Sequence, residues 1–224
     1  MEASDLITRY PVLYHMAEPR SWPGIVADGL LCTSSLLNVY GVTGTMREAI
    51  ERRRRPEKVT IRCDGRPPAT VRDQKPINDD ELSASLSGSM TNEQWYLAIN
   101  GKVFFWPDMK RLKWMMWAAP YVRDEHLVIA VDTALLLSRF GERVRLSAIN
   151  SGSTRASTAT GQIPRRGPDT FQPLSTFPSR SPVAEVAVDD RIEDIRSVAL
   201  RAEIMRCQNK GADPECVRGV WTRP

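Results

Sequence analysis

The sequence predicts an α+β fold, and three observations point to it. Helical patterns crowd the first half of the chain and alternating strand patterns crowd the second. A long segment rich in Gly, Ser, Thr and Pro, Asn150 to Pro182, interrupts that second half. At 224 residues and 42% hydrophobic, the chain fits one large domain with a sizeable core.

Each element has its own signal. Pro11 to Met16 is a short apolar, strand-like run that carries His15. Ser21 is placed to cap a helix, with Pro23 in the first turn and Gly29 as C-cap, so Ser21 to Asp28 reads as a helix exiting through Leu30-Leu31. Thr33-Ser34-Ser35 can cap a second helix bearing Leu36, Leu37 and Tyr40. Thr45 to Arg55 is helical by composition. Val59 to Cys63 alternates, Pro67-Pro68 breaks the chain, and Ala69-Thr70-Val71 is again extended. Asn78 to Leu86 reads as a helix, and Thr91-x-x-Gln94 is a capping box opening the helix with Trp95, Tyr96 and Ile99. Lys102 to Trp106 is a strand by its β-branched and aromatic content, ended by Pro107, and Asp108 starts a helix through Ala119. Leu127 to Val131 is a buried strand, Thr133 to Phe140 a helix, and Val144, Leu146 and Ala148 alternate as a strand. After the long break, alternation returns at Val183 to Val188 and at Val198 to Ile204, and Arg218 to Pro224 has no pattern and reads as a mobile tail.

Charge and cysteine usage narrow the function classes. The net charge of +4 and pI near 9.0 permit an anionic partner without requiring one. The densest run, Arg52 to Arg55, reads first as a solvated helix end that complements the helix dipole, with phosphate gripping as the alternative. Cys32, Cys63, Cys207 and Cys216 contain no C-x-x-C pair, and the histidines are His15 and His126, so no metal site is expected. Pairing of Cys207 with Cys216 stays open. No charged-then-apolar leader opens the chain and no apolar stretch reaches membrane-spanning length, so the expectation is a cytoplasmic protein without a membrane partner.

Several catalytic devices are missing. There is no G-x-x-x-x-G-K-[ST] loop, no G-x-G-x-x-G after a strand, no G-x-S-x-G and no H-E-x-x-H. NTPase, Rossmann dehydrogenase, α/β-hydrolase and zincin readings therefore fail. Two residues remain. His15 is either a core histidine satisfied by backbone or a neutral imidazole placed to bond a ribose hydroxyl. Glu185, within Val183-Ala184-Glu185-Val186, faces either a cleft or water.

Together they carry a resemblance. Leu13-Tyr14-His15-Met16, then Trp22-Pro23-Gly24-Ile25-Val26 and Gly29-Leu30-Leu31, resembles the opening of DarT-type DNA ADP-ribosyltransferases. In that family a histidine strand leads into a helix and a Gly-Leu exit followed by Ser or Thr, here Thr33. Val103 to Trp106 with the basic helix after it resembles the family's central aromatic strand, and Pro182 to Val188 its catalytic-glutamate strand. Over nearly its whole length the chain is also similar to an uncharacterised bacterial domain-of-unknown-function family. That similarity rests on Leu-Tyr-His-Met, Arg72-Asp73-Gln74-Lys75-Pro76, Phe104-Phe105-Trp106-Pro107, Asn150-Ser151-Gly152-Ser153-Thr154 and the same glutamate strand.

The resemblance implies an ADP-ribosyltransferase-like fold: two facing antiparallel sheets flanked by helices, with a central cleft for NAD. It implies one such domain over residues 1–206 and a C-terminal tail over 207–224, with 150–182 as the substrate-type loop. NAD would be the co-substrate, held by His15, Met16, Thr33, Arg20 and a ring wall from Phe104 or Phe105. Glu185 would stabilise positive charge developing on the ribose and accept a proton from the attacking group. Lys110 and Arg111 compete for the family's arginine position. Arg111 is preferred because a guanidinium can clamp two diphosphate oxygens, with Arg20 and Arg72 as further candidates for that anion or as plain surface charge. Arg155, Arg165 and Arg166 would meet phosphates of a nucleic-acid acceptor, DNA or RNA. Enzymes of this kind are often toxins or phage-defence effectors, which implies an antitoxin or neutralising hydrolase as partner. The alternatives are an RNA 2′-phosphotransferase, which shares the fold and uses NAD, and a non-catalytic module that binds nucleotide or a protein partner.

Overall fold

In a computed structural model, residues 1–157 and 160–224 are described; Thr158 and Ala159, inside the expected 150–182 loop, lie outside the described residues. In chain order the elements are α1 (Ala3–Arg9), β1 (Val12–Ala17), α2 (Trp22–Asp28), β2 (Leu30–Leu31), α3 (Thr33–Val39), α4 (Gly44–Glu51), β3 (Val59–Ile61) and β4 (Ala69–Val71). They continue with α5 (Asp79–Ser85), α6 (Asn92–Asn100), β5 (Lys102–Phe105), α7 (Met109–Met116), β6 (Glu125–Asp132), α8 (Thr133–Phe140) and β7 (Val144–Ser147). Last come β8 (Gln172–Pro173), β9 (Glu185–Asp189), β10 (Arg191–Ile192), β11 (Ala199–Arg206) and β12 (Glu215–Thr222). The class is α+β, with several antiparallel sheets.

Two larger sheets organise the chain: β1-β6-β11-β12 and β5-β9-β7-β8. Leu13 of β1, Leu127, Ile129 and Val131 of β6, and Ala202 and Ile204 of β11 bury one face of the first sheet. They meet Val103 and Phe105 of β5, Val144 and Leu146 of β7, and Val186 and Val188 of β9 in a single apolar core. Burying side chains of this size contributes roughly 1.5–3 kcal/mol each before the entropy cost. The second face of β6 is buried too, because Val128 packs with Met16, Met205 and, one helical turn apart on α7, Leu112 and Met116. That explains why β6 reads as a continuous apolar run. The edge strands β1 and β5 touch where Tyr14 and Trp106 exchange backbone hydrogen bonds of 2.9 and 2.8 Å.

Local chemistry sets most element ends. Gly29 closes α2 with φ +90°, and a Cβ there would lie 2.6 Å from the Ile192 carbonyl oxygen, so only glycine lets β2 reach β10. The capping box opens α6 as expected, with Thr91 Oγ1 accepting from the Gln94 N–H and Gln94 Oε1 accepting from the Thr91 N–H. Asp108 caps α7 by accepting the Arg111 N–H at 2.8 Å.

Some expectations need correction. The cap of α3 is Cys32, whose sulfur accepts the Ser35 N–H, rather than the Thr33 to Ser35 run. α4 stops at Glu51, since Pro56 disfavours helix before it and Arg55 turns inward. Arg55 is buried, with Nε donating to the Arg72 carbonyl at 3.1 Å and Nη2 to Asn100 Oδ1 at 3.0 Å, so it is no part of a solvated helix end. α7 ends at Met116 rather than Ala119, before Pro120. Within 150–182, 3₁₀ turns at Pro168–Thr170 and Leu174–Thr176 flank β8, which pairs with β7. The expected tail contains β12, antiparallel to β11, with Trp221 against Trp22 at 5.6 Å between ring centroids. Register shifts in that pairing break the alternation that would have signalled a strand. All four cysteines are free, including Cys207 and Cys216. No helix among the described residues is long and apolar enough to cross a membrane.

Candidate functional site

A cleft of about 630 Å³ lies beside the contact between β1 and β5. Its walls come from β1, the start of α2, β2 and α3, the segment 72–76, β5, α7, the 150–155 turn and Glu185. Residues far apart in sequence therefore share one space, and His15 and Glu185 are both among them.

His15 sits midway along β1, and backbone alternation puts it on the same side as Leu13 and Ala17. Its ring tilts against Phe105, with centroids 5.7 Å apart. Its Nδ1 lies 2.9 Å from the Phe104 carbonyl oxygen, which can only accept, so Nδ1 carries the proton. Burial lowers the His15 pKa from 6.5 to about 4, offset in part by the Phe104 bond and reinforced by the charge of Arg72. The imidazole is thus neutral at ordinary pH, and Nε2 keeps a lone pair for a ligand hydroxyl.

Glu185 opens β9 opposite Ser147 of β7 and is only 9% exposed. Its Oε2 accepts the Ser151 N–H at 3.0 Å. Burial raises its pKa from 4.5 to about 7, against the pull of its bonds to Ser151 and the charges of Arg111 and Arg166. A carboxylate with that affinity for protons can take one from an attacking hydroxyl or amine and release it near neutrality.

The turn that holds Glu185 is itself clamped. Arg166 is 1% exposed, and its Nη2 donates to the carbonyls of Asn150 and Ser153 while Nη1 donates to Ser85 Oγ at 3.2 Å and the Pro164 carbonyl at 2.6 Å. Its guanidinium also lies over Trp95. The expectation that Arg166 meets an acceptor phosphate is therefore corrected: the side chain is buried, both its Nη groups bond inside the protein, and only its buried Nε has no partner among the described residues. Arg165 is exposed but lines a separate cavity of about 370 Å³, away from the cleft. Arg155 is exposed on the cleft wall.

The remaining expected residues divide in the same way. Phe104 lines the cleft and packs on Phe171, whereas Phe105 is fully buried core, as the alternation of faces along β5 requires. Arg111 lines the cleft and acts on Glu185 through its charge, while Lys110 is exposed with its ammonium over Trp114. Met16 and Thr33 line the cleft, Met16 as part of the apolar cluster under α7. Arg20 lies exposed on its wall.

Sequence reasoning gave no role to Ser151, though the Asn150 to Thr154 motif contains it. It named Arg72 as a candidate for the anion but missed the polar group around it on the segment after β4. Arg72 lies over the Tyr121 ring at 5.3 Å, and its Nη1 is 3.4 Å from Glu18 Oε1. The Tyr121 hydroxyl donates to Asp73 Oδ1. His126 beneath them is pushed down in pKa by burial and by the charge of Arg72. The Arg72 to Pro76 run was the only signal for this group.

Comparison with known proteins places residues 11–199 in a family of unknown function (DUF7002). The match covers most of the chain, and the chain belongs to that family. A search of curated proteins finds no match.

Proposed function

We propose that this member of the family is an NAD-dependent ADP-ribosyltransferase, of the glycosyltransferase class, with an ADP-ribosyltransferase-like fold related to that of the DarT-type enzymes. The observation that carries the reading is the shared cleft, in which a neutral His15 and a Ser151-held Glu185 line one space of a volume suited to a cofactor-sized ligand. Two antiparallel sheets packed on a single core agree with the proposed fold.

In this reading NAD supplies an activated ribose whose bond to nicotinamide breaks. His15 Nε2 accepts a hydrogen bond from a ribose hydroxyl and fixes the sugar. Glu185 faces the positive charge that develops on that sugar, where a preformed carboxylate in a poorly solvated site is worth most. The same carboxylate takes the proton of the acceptor as it attacks. Phe104 supplies a flat wall, and Arg111 offers charge to the diphosphate or to the acceptor. Nucleic acid is the acceptor class in this reading, and a neutralising hydrolase or antitoxin is its expected counterpart.

The test is incubation with labelled NAD and separate pools of DNA, RNA and lysate protein, using wild type, Glu185→Gln and His15→Ala. Label should move to one pool with wild type, fall at least ~100-fold with Glu185→Gln, and show raised KM with His15→Ala. Equal transfer by wild type and Glu185→Gln would sink the assignment. NAD binding without nicotinamide release would replace it by a binding module.

A further inference from the structure

The motif Arg72 to Pro76 becomes a strap along the cleft. Gln74 N–H donates to the Arg55 carbonyl and Gln74 Oε1 accepts the Arg55 N–H, while the Thr154 N–H donates to the Pro76 carbonyl at 3.2 Å. With the Arg72 carbonyl also accepting from Arg55 Nε at 3.1 Å, the strap is fixed at its start, middle and end, and its first side chain is Arg72, on the cleft wall. The guanidinium of Arg72 has no hydrogen-bond acceptor for either Nη atom among the described residues, although both are buried. Leaving two such donors unsatisfied costs far more than leaving them in water, so they call for a partner.

The nearest candidate does not fill that need. Glu18 Oε1 lies 3.4 Å from Arg72 Nη1, yet the two make no hydrogen bond, and Glu18 Oε1 is also without one. Lys58 is closer, with Nζ 3.1 Å from both oxygens of Glu18. One carboxylate is shared by two cations, and the neighbouring Asp73 is committed to the Tyr121 hydroxyl and the Lys75 N–H through Oδ1. The face of the guanidinium is occupied by Tyr121, which leaves its edge for an acceptor.

We propose that Arg72 is the anion anchor of this cleft, that it takes the diphosphate of a dinucleotide, and that Glu18 is an internal stand-in which the ligand displaces. The identity of the anion as a diphosphate rests on the NAD reading; the anion site does not. A diphosphate presents several oxygens to a guanidinium edge, where Glu18 offers one at poor geometry. Lys58 remains to hold Glu18 once it is displaced. Exchange of Glu18 for the ligand keeps the charge of Arg72 balanced throughout.

The experiment is calorimetric titration at low salt of wild type, Arg72→Gln, Arg72→Lys and Glu18→Gln with ADP-ribose and, separately, with inorganic pyrophosphate. Arg72→Gln should weaken ADP-ribose about 10- to 100-fold, with Arg72→Lys between it and wild type. Glu18→Gln should bind both probes about 2- to 5-fold more tightly, since the competing carboxylate is gone. A misfolded variant cannot bind more tightly, so the Glu18 arm guards the Arg72 arm. Failure of wild type to bind either probe, unchanged affinity in Arg72→Gln, or weaker binding in Glu18→Gln overturns the proposal, the second of these meaning that water satisfies the donors. Arg72-dependent binding with no nicotinamide release from NAD keeps the anchor and removes the transferase. Turnover of NAD with the same KM in Arg72→Gln removes the anchor alone.

Discussion

His15 and Glu185 occupy one cleft with proton affinities displaced in opposite senses, so the pair hides a pH dependence that a single substitution exposes. Burial raises the Glu185 pKa from 4.5 to about 7. The folded chain then holds that proton more tightly than the unfolded chain does. At ~1.4 kcal/mol per tenfold change, this amounts to about 3 kcal/mol of stability, fully present below pH 4.5 and lost as the pH rises through 7. His15 runs the other way. Its pKa falls from 6.5 to about 4, so its contribution is present above pH 6.5 and lost as the pH falls through 4. Between pH 4.5 and 6.5 the two slopes nearly cancel. Glu185→Gln removes one of them. Urea unfolding of wild type and variant from pH 4 to pH 8 should show the pH-dependent part of their difference growing from near zero at pH 4.5 to about 3 kcal/mol above pH 7, in favour of the variant. The variant alone should gain stability steeply from pH 4 to 6.5, where wild type is nearly flat. A difference that stays constant across the range means a carboxyl titrating at its ordinary value, and it refutes the burial argument whatever the protein catalyses.

Four further substitutions test the packing beneath the cleft. Phe105→Ala should cost about 3–5 kcal/mol in chemical denaturation and Phe104→Ala clearly less, because Phe105 is wholly in the core while Phe104 lines the cleft; equal losses would contradict the assignment of faces. Gly29→Ala should lower stability by more than ~1 kcal/mol, since φ is +90° and the new Cβ would press on the Ile192 carbonyl, and an unshifted denaturation midpoint would show that β2 and β10 tolerate separation. Arg166→Met should cost about 2–4 kcal/mol and speed hydrogen exchange at the Ser151 amide, because the Asn150 and Ser153 carbonyls lose their donor; unchanged protection at Ser151 would mean that the turn holds itself.

How much of this was legible in the sequence depends on where each signal lives. The capping box at Thr91, the Gly29 C-cap, the Asp108 start and the helix Thr133–Phe140 are local patterns, and the structure places each where the residues implied. Local patterns failed where a tertiary contact outweighed them. Arg55 continues a charged helical run, but its donors pair with the carbonyls of Ile50 and Arg72 and the side chain of Asn100, so the chain leaves the helix to bury it. β12 carries bulges against β11, and two register shifts are enough to erase a period of two from the sequence.

The arginines show why the site was only half legible. Residue type marks a side chain as able to bind phosphate, but what decides is whether its donors are already used, and that is settled by groups far away in sequence. Arg166 spends both its Nη groups on carbonyls up to 16 residues distant and on Ser85, which lies 81 residues away, and keeps only a buried Nε unmatched. Arg72, an equally plain arginine in the sequence, is left with two buried and unmatched Nη groups because its nearest carboxylate is shared with Lys58. Lys110 and Arg111 are adjacent, yet the turn of α7 puts one over Trp114 and the other on the cleft wall with Glu185 in its field. An arginine in such a chain is therefore a candidate ligand group only to the extent that the fold fails to satisfy it. By that measure Arg72 and Arg111 remain candidates for anion binding, whereas Arg166 belongs to the framework that holds Glu185.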